Sequence, residues 1–151
     1  EAAAELVAPL ERAEGEDPYA IQRDLQTMMQ RLVGIFRVES DLTEAIEGLA
    51  ELRRRWQTVR VSGGRVYNPG WNLVFELGNL LTVSEAIARA ALLRTESRGA
   101  HSRLDFPATD EKRWGGVNTA VARAADGSMT VATTPLPAMP DALRGLLGGG
   151  H

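Results

Sequence analysis

The stretch from Asn68 to Gly99 constrains the fold more than any other. Asn68 suits a helix cap and Pro69 the first helical position. Gly99 suits the left-handed residue that closes a helix. The thirty or so residues between them, at about 1.5 Å each, make a rod of about 45 Å. Its apolar side chains are Trp71, Leu73, Val74, Phe75, Leu77, Leu80, Leu81, Val83, Ile87, Ala91, Leu92 and Leu93. They fall on more than one face. A helix of that kind is buried on several sides, so it is expected at the centre of a bundle, with Leu80 among its core positions.

Two further helices supply the partners. Asp17-Pro18 repeats the cap-then-proline signal, and Ile21, Leu25, Met28, Leu32 and Ile35 follow at helical spacing. Met28-Met29 lies on that apolar face and reads as core. Asp41 and Glu44 have capping-box spacing, and Leu42, Ala45, Leu49, Leu52, Trp56 and Val59 then repeat at steps of three and four. Glu47, Glu51, Arg54 and Arg55 take the opposite face, and Arg53-Arg54-Arg55 reads as solvated. After Pro107 the character changes. Thr109–Trp114 suggests one helical turn. Two alternating runs flank Asp126-Gly127, which signals a β-hairpin, and Asp141–Leu147 suggests a short helix. The predicted fold is mainly α: a three-helix spectrin-like bundle with a short C-terminal β-hairpin appendage. Residues 17–107 form the bundle and 108–147 the appendage.

The chain opens at Glu1, already inside a helix-like pattern, and closes on three glycines and His151. Residues 1–16 read as a helical lead-in from a truncated upstream domain, and 148–151 as a glycine tail left by a tag.

Composition narrows the chemistry. The 151 residues contain no cysteine, which excludes disulfides, thiolate nucleophiles and cysteine-ligated metal or iron–sulfur sites. The net charge of −3 gives no general pull toward nucleic acid or anionic lipid. No apolar run reaches the length of a membrane span, so direct membrane insertion is not expected. Gly63-Gly64 is a turn and not a phosphate cradle, since no G-x-G-x-x-G follows a strand.

The densest polar stretch is RTESRGAHSRLDFP, residues 94–107. Ser97, His101 and Asp105 could form a nucleophilic triad, but a triad serine needs a sharp turn and an oxyanion hole, and the G-x-S-x-G context is absent. His101, Glu96 and Asp105 make a thin metal set beside three arginines that repel a cation. The plain alternative is local. Arg94 and Arg98 complement a helix C-terminus, and His101 bonds backbone or carboxylate. A third reading makes Arg94, Glu96, Arg98, His101, Arg103 and Asp105 a docking surface. In it Arg98, His101 and Arg103 point past the helix end toward another domain. Asp105 holds an arginine, and Leu104, Phe106 and Pro107 fix the loop against the bundle.

ESRGAHSRLDFPATDEKRW closely resembles the C-terminal region of the flavoprotein subunit of succinate dehydrogenase and fumarate reductase. The likeness extends to Arg23-Asp24-Leu25-Gln26 with Met29, to Val33-Gly34-Ile35 followed by Arg37, and to ELGNLLTVSEAIARAALLRTESRGAH. It covers roughly residues 15–116, in order and with the family's spacing. The corresponding region of L-aspartate oxidase is similar and stands as an alternative. A stand-alone helical interaction module is the rival from another class. The resemblance implies a three-helix bundle beside an FAD-binding domain, in a parent that interconverts succinate and fumarate by hydride transfer with FAD. It places flavin, dicarboxylate and catalytic groups in the preceding domains. Catalytic, cofactor-binding and metal residues are therefore expected nowhere in this chain. The implied partners are the FAD domain of the same polypeptide, an iron–sulfur subunit and the factor that assists flavin attachment. The implied location is cytoplasmic, at the inner face of the membrane through those subunits.

Overall fold

The computed structural model describes residues 2–140 and residue 143. Helices α1 (Ala2–Glu11), α2 (Pro18–Leu32), α3 (Glu39–Trp56) and α4 (Pro69–Leu93) precede the single turn α5 (Glu111–Trp114). Strands β1 (Phe36–Arg37) and β2 (Ser102–Arg103) form a two-residue parallel ladder. Strands β3 (Val117–Arg123) and β4 (Met129–Pro135) form the antiparallel hairpin. The short helix expected over Asp141–Leu147 lies outside the described residues apart from Leu143, and so does the glycine tail. The architecture is mainly α with a hairpin.

Local signals start two of the three bundle helices. Asp17 caps α2 by accepting from the Tyr19 amide at 3.0 Å, with Pro18 in the first turn. Asn68 caps α4 by accepting from the Trp71 amide at 3.0 Å, again with proline following. In the hairpin turn, Asp126 Oδ1 accepts from the Ser128 amide at 2.9 Å, and Gly127 takes φ +85°. That backbone region suits glycine because it has no Cβ.

The core is one cluster shared by α2, α3 and α4. It holds Ile21, Leu25 and Leu32; Leu42, Ala45, Leu49 and Leu52; and Leu73, Val74, Leu77, Leu81, Ala88 and Ala91. Val59 and Val61 close one end. Trp56 packs against the cluster and donates its indole N–H to the Val74 carbonyl at 2.7 Å. Met28 and Met29 pack against it from α2.

Four expectations need correction. Helix α2 stops at Leu32, so Ile35 leaves the apolar stripe and is 69% exposed. Helix α3 starts at Glu39, two residues before Asp41, and its N-cap Val38 has no side-chain bond to offer. Helix α4 ends at Leu93, not near Gly99, because Arg94 turns to extended backbone. Gly99, at φ +58°, serves instead a tight turn in which Arg98 and His101 exchange backbone hydrogen bonds of 2.8 and 3.0 Å. Finally, α4 is not buried all round. Leu80, Val83 and Ile87 are 42%, 57% and 45% exposed. They form a separate stripe beside the buried face of Leu77, Leu81 and Ala88.

Two basic residues of α3 are tied down rather than solvated: Arg53 reaches Glu85 of α4 at 3.3 Å, and Arg55 binds acids on and before α2. Arg55 pairs with Glu16 through two N–H donors and with Asp24 at 2.6 Å, which fastens the end of α3 to the start of α2. The Arg55 guanidinium in turn holds the Glu16 carboxyl below its usual pKa.

Candidate docking site at the bundle end

The polar knot begins with an unfinished helix end. The last carbonyls of an α-helix have no partner within it. In α4 the Ala91 and Leu92 carbonyls accept from Arg103 Nη1 at 2.9 and 3.2 Å. The Arg94 carbonyl accepts from His101 Nε2 at 3.0 Å. The helix is therefore closed by residues from a strand and its approach, not by the side chains of Arg94 or Arg98. The local role expected of Arg94 and Arg98 passes to Arg103 and His101.

Arg103 is completely buried. It cannot point toward another domain, so that part of the docking expectation is corrected. Its Nε and Nη2 donate to the two carboxylate oxygens of Asp105, each at 2.8 Å. Asp105 Oδ2 also accepts from the Glu39 amide at 2.9 Å and so supplies α3 with the cap that Val38 lacks. These bonds hold the Asp105 carboxyl down to about 2, with the Arg103 pair as the largest cause. The Phe106 ring lies 4.9 Å from the Arg103 guanidinium. Leu104 is 61% exposed and so does not fix the loop against the bundle, whereas Phe106 is covered on the side of Arg103.

Glu96 is the second buried centre. It is fully buried and accepts from Arg94 Nη1 at 3.0 Å, Arg98 Nε at 2.9 Å, Arg98 Nη2 at 3.2 Å and the Asp110 amide at 2.8 Å. The Arg98 bond, helped by the others, outweighs burial and holds the Glu96 carboxyl below its usual range. Arg98 continues to Glu111 at 2.8 Å. Arg94 stacks over Trp114, with Arg113 also against that ring.

Ser97, His101 and Asp105 do not meet as a relay. Ser97 Oγ donates to the Phe106 carbonyl at 2.9 Å and accepts from the Arg103 amide at 2.8 Å. His101 Nδ1 meets Arg37 Nη1 at 2.9 Å. An arginine can only donate, so Nδ1 accepts and Nε2 carries the proton given to Arg94. Burial, with the Arg37, Arg103 and Arg94 charges nearby, pulls the His101 pKa down. Among the described residues no three His, Cys, Asp or Glu side chains gather as metal ligands.

Sequence reasoning missed Arg37 as a member of this site. It meets His101 from 64 positions away. The only hint was its place in the resemblance, since no spacing rule links a residue after one helix to a loop after another.

Residues 22–141 match the fumarate reductase flavoprotein C-term family. The chain is 38% identical over 114 residues to the fumarate reductase flavoprotein subunit of Haemophilus influenzae, covering 72% of this chain and 19% of that one. It is 35% identical over 123 residues to the subunit of the same name from Mycobacterium tuberculosis, covering 81% and 21%. The structure of Mycobacterium smegmatis Sdh1 in complex with UQ1 superposes with a TM-score of 0.85 at 40% identity, over 98% of this chain and 25% of that one. A quinol–fumarate reductase with menaquinol superposes with a TM-score of 0.81 at 30% identity, over 91% and 25%. This chain thus spans about a fifth of the curated relatives it matches.

Proposed function

Because this chain belongs to the fumarate reductase flavoprotein C-terminal family, we propose that it is the scaffold and docking domain of a flavoprotein oxidoreductase that interconverts succinate and fumarate. The observation that carries this reading is the exposed apolar stripe of Leu80, Val83 and Ile87 on α4. Large apolar side chains in a row, on a rigid helix, suit contact with another protein surface. The relatives are about four times as long as this chain, which supplies the surface.

FAD would act elsewhere in such a parent. When bound there, it supplies the hydride acceptance and return that join succinate and fumarate. The residues of this chain do not fit it. A dinucleotide cradle needs a strand, a glycine-rich turn and a helix in succession. Among the described residues the parallel ladder has two-residue strands, and the helix after β1 starts at Glu39 with Val38 as its cap. No step of the chemistry is assigned to this chain. Its residues hold the two helix ends and present surfaces to the flavin domain, to an iron–sulfur subunit and to a flavin-attachment factor. Such a protein would sit at the inner face of the membrane through its partners. No helix among the described residues is long and apolar enough to cross a membrane.

A chimera tests the reading. The sequence replaces the matching quarter of the Sdh1 flavoprotein of Mycobacterium smegmatis. The expected product carries FAD and oxidises succinate. The isolated 151-residue chain, titrated with FAD, is expected to show no micromolar binding. Micromolar binding by the isolated chain, or a chimera that never retains flavin, would sink the scaffold assignment.

A further inference from the structure

The bundle end carries a partly buried guanidinium that its own domain leaves incomplete. Arg37 donates from Nε to the Gly34 carbonyl at 2.7 Å and from Nη1 to His101 Nδ1 at 2.9 Å. A guanidinium has five N–H donors. Two on Nη2 and one on Nη1 meet no carboxylate among the described residues. Arg94, Arg98 and Arg103 each have one, in Glu96 or Asp105. Arg37 is also partly withdrawn from water, and that burial pulls its pKa down. It is nonetheless held still. Gly34 grips it at the end of α2, and His101 grips it from the loop, itself fixed to the Arg94 carbonyl. A cation that is half-buried and unpaired is costly. One with a free donor edge suits a carboxylate, which it can bind through two parallel hydrogen bonds.

The surroundings indicate what brings that carboxylate. Ile35, Phe36 and Leu104 are 69%, 67% and 61% exposed at the same end of the bundle. The ladder pairs Phe36 with Ser102 and Arg37 with Arg103, so Phe36 lies on one face of it and Arg37 on the other, with Leu104 following directly and donating its amide to the Arg37 carbonyl at 2.9 Å. A small anion could satisfy Arg37 but would leave these three side chains in water. A second copy centred on this patch would bring two Arg37 cations together. A protein surface with an acidic side chain among apolar ones satisfies both needs, and aromatic residues and arginine are what interface centres favour.

We propose that Arg37 anchors an interdomain contact, taking an Asp or Glu carboxylate from the adjoining part of a full-length flavoprotein, which also covers the exposed Phe36 and Leu104 at the same bundle end. This rests on the docking reading and adds to the α4 stripe a second contact, on the β1 side of the bundle end. His101 is a positioning residue in this contact, since it holds the guanidinium and has no free ring nitrogen of its own.

The experiment uses the Sdh1 chimera and the isolated chain in parallel. In the chimera, the rate at which a protease separates the C-terminal domain reports the contact. Arg37→Gln and Phe36→Ser are each expected to raise that rate at least tenfold, and Arg37→Lys less. The same variants of the isolated chain are expected to melt within about 2 °C of the parent chain, which separates lost docking from lost folding. Arg31→Gln, on the exposed surface of α2, should change neither. If the unaltered chimera holds together and both Arg37→Gln and Phe36→Ser separate at the unaltered rate, the anchor is wrong while the docking reading survives. An unaltered chimera that separates as fast as an unstructured linker removes the docking reading and the anchor with it. Two further results overturn the anchor. One is an Arg37-dependent rise in the melting temperature of the isolated chain with millimolar succinate or acetate, which would make Arg37 a small-anion site. The other is Phe36-dependent dimerisation in sedimentation, which would assign the patch to a second copy.

Discussion

Arg103 and Asp105 form a two-pronged ion pair, both prongs 2.8 Å long, that joins the end of α4 to the start of α3. The signs suit both helices. Arg103 sits on the carbonyls that end α4, where a helix is partially negative, and Asp105 accepts the first amide of α3, where it is partially positive. One short loop thereby closes one helix and opens another 66 positions away from the residue it caps.

Asp105→Asn should therefore be severe. It leaves Arg103 buried opposite a neutral amide, a loss of about 3–5 kcal/mol. Arg103→Lys keeps the charge but not the fork, and should cost about 2 kcal/mol. Urea unfolding measures both. A loss under about 0.5 kcal/mol for Asp105→Asn would mean that the helix carbonyls alone satisfy Arg103.

Stability should fall in acid in two stages. His101 has a folded pKa below its unfolded value of 6.5. Its contribution is present above pH 6.5 and is lost as pH falls through the folded value. Asp105, at about 2 when folded against 3.8 unfolded, follows the same sign lower down. Its contribution is present above about pH 5 and disappears toward pH 2. Glu96 adds to the lower stage. Urea midpoints from pH 8 to pH 3 check this. His101→Gln should flatten the upper stage and leave the lower one, and an unchanged upper stage would exclude His101 as its source.

Adjacent leucines on α4 should behave differently. Leu81 is fully buried, whereas Leu80 is 42% exposed. Leu81→Ala should cost about 2–5 kcal/mol. Leu80→Ala should cost less than about 1 kcal/mol. Equal losses in chemical denaturation would contradict the orientation of α4.

Trp114 offers an unusual pair of substitutions. It is 2% exposed, yet its indole N–H finds no acceptor. An orphaned buried donor costs about 1–3 kcal/mol. Trp114→Phe removes it while keeping an aromatic face for Arg94, so the net change should stay within about 1 kcal/mol. Trp114→Ala should cost about 3–5 kcal/mol. Calorimetry of the two variants decides, and a phenylalanine variant as unstable as the alanine one would mean the N–H has a partner.

Much of the fold was legible in the sequence because its signals are local. A cap and a proline act within one turn, which is why Asp17-Pro18 and Asn68-Pro69 announce their helices directly. Asp126-Gly127 announces the hairpin for the same reason. The order of residues 94–107 was also enough to mark a polar site and to show the family resemblance. Tertiary structure alone decided how that site is wired. The capping residue of α3 is Asp105 and the closing residue of α4 is Arg103, and neither bond follows a periodic spacing. The same holds for Arg37 on His101. The stop at Leu93, the turn at Gly99 and the choice of Leu81 over Leu80 depend on which neighbours reach the helix, because hydrophobicity alone makes both leucines eligible for the core. Short-range hydrogen bonding can be read along a chain. Long-range pairing exists only after the chain has brought its distant parts together.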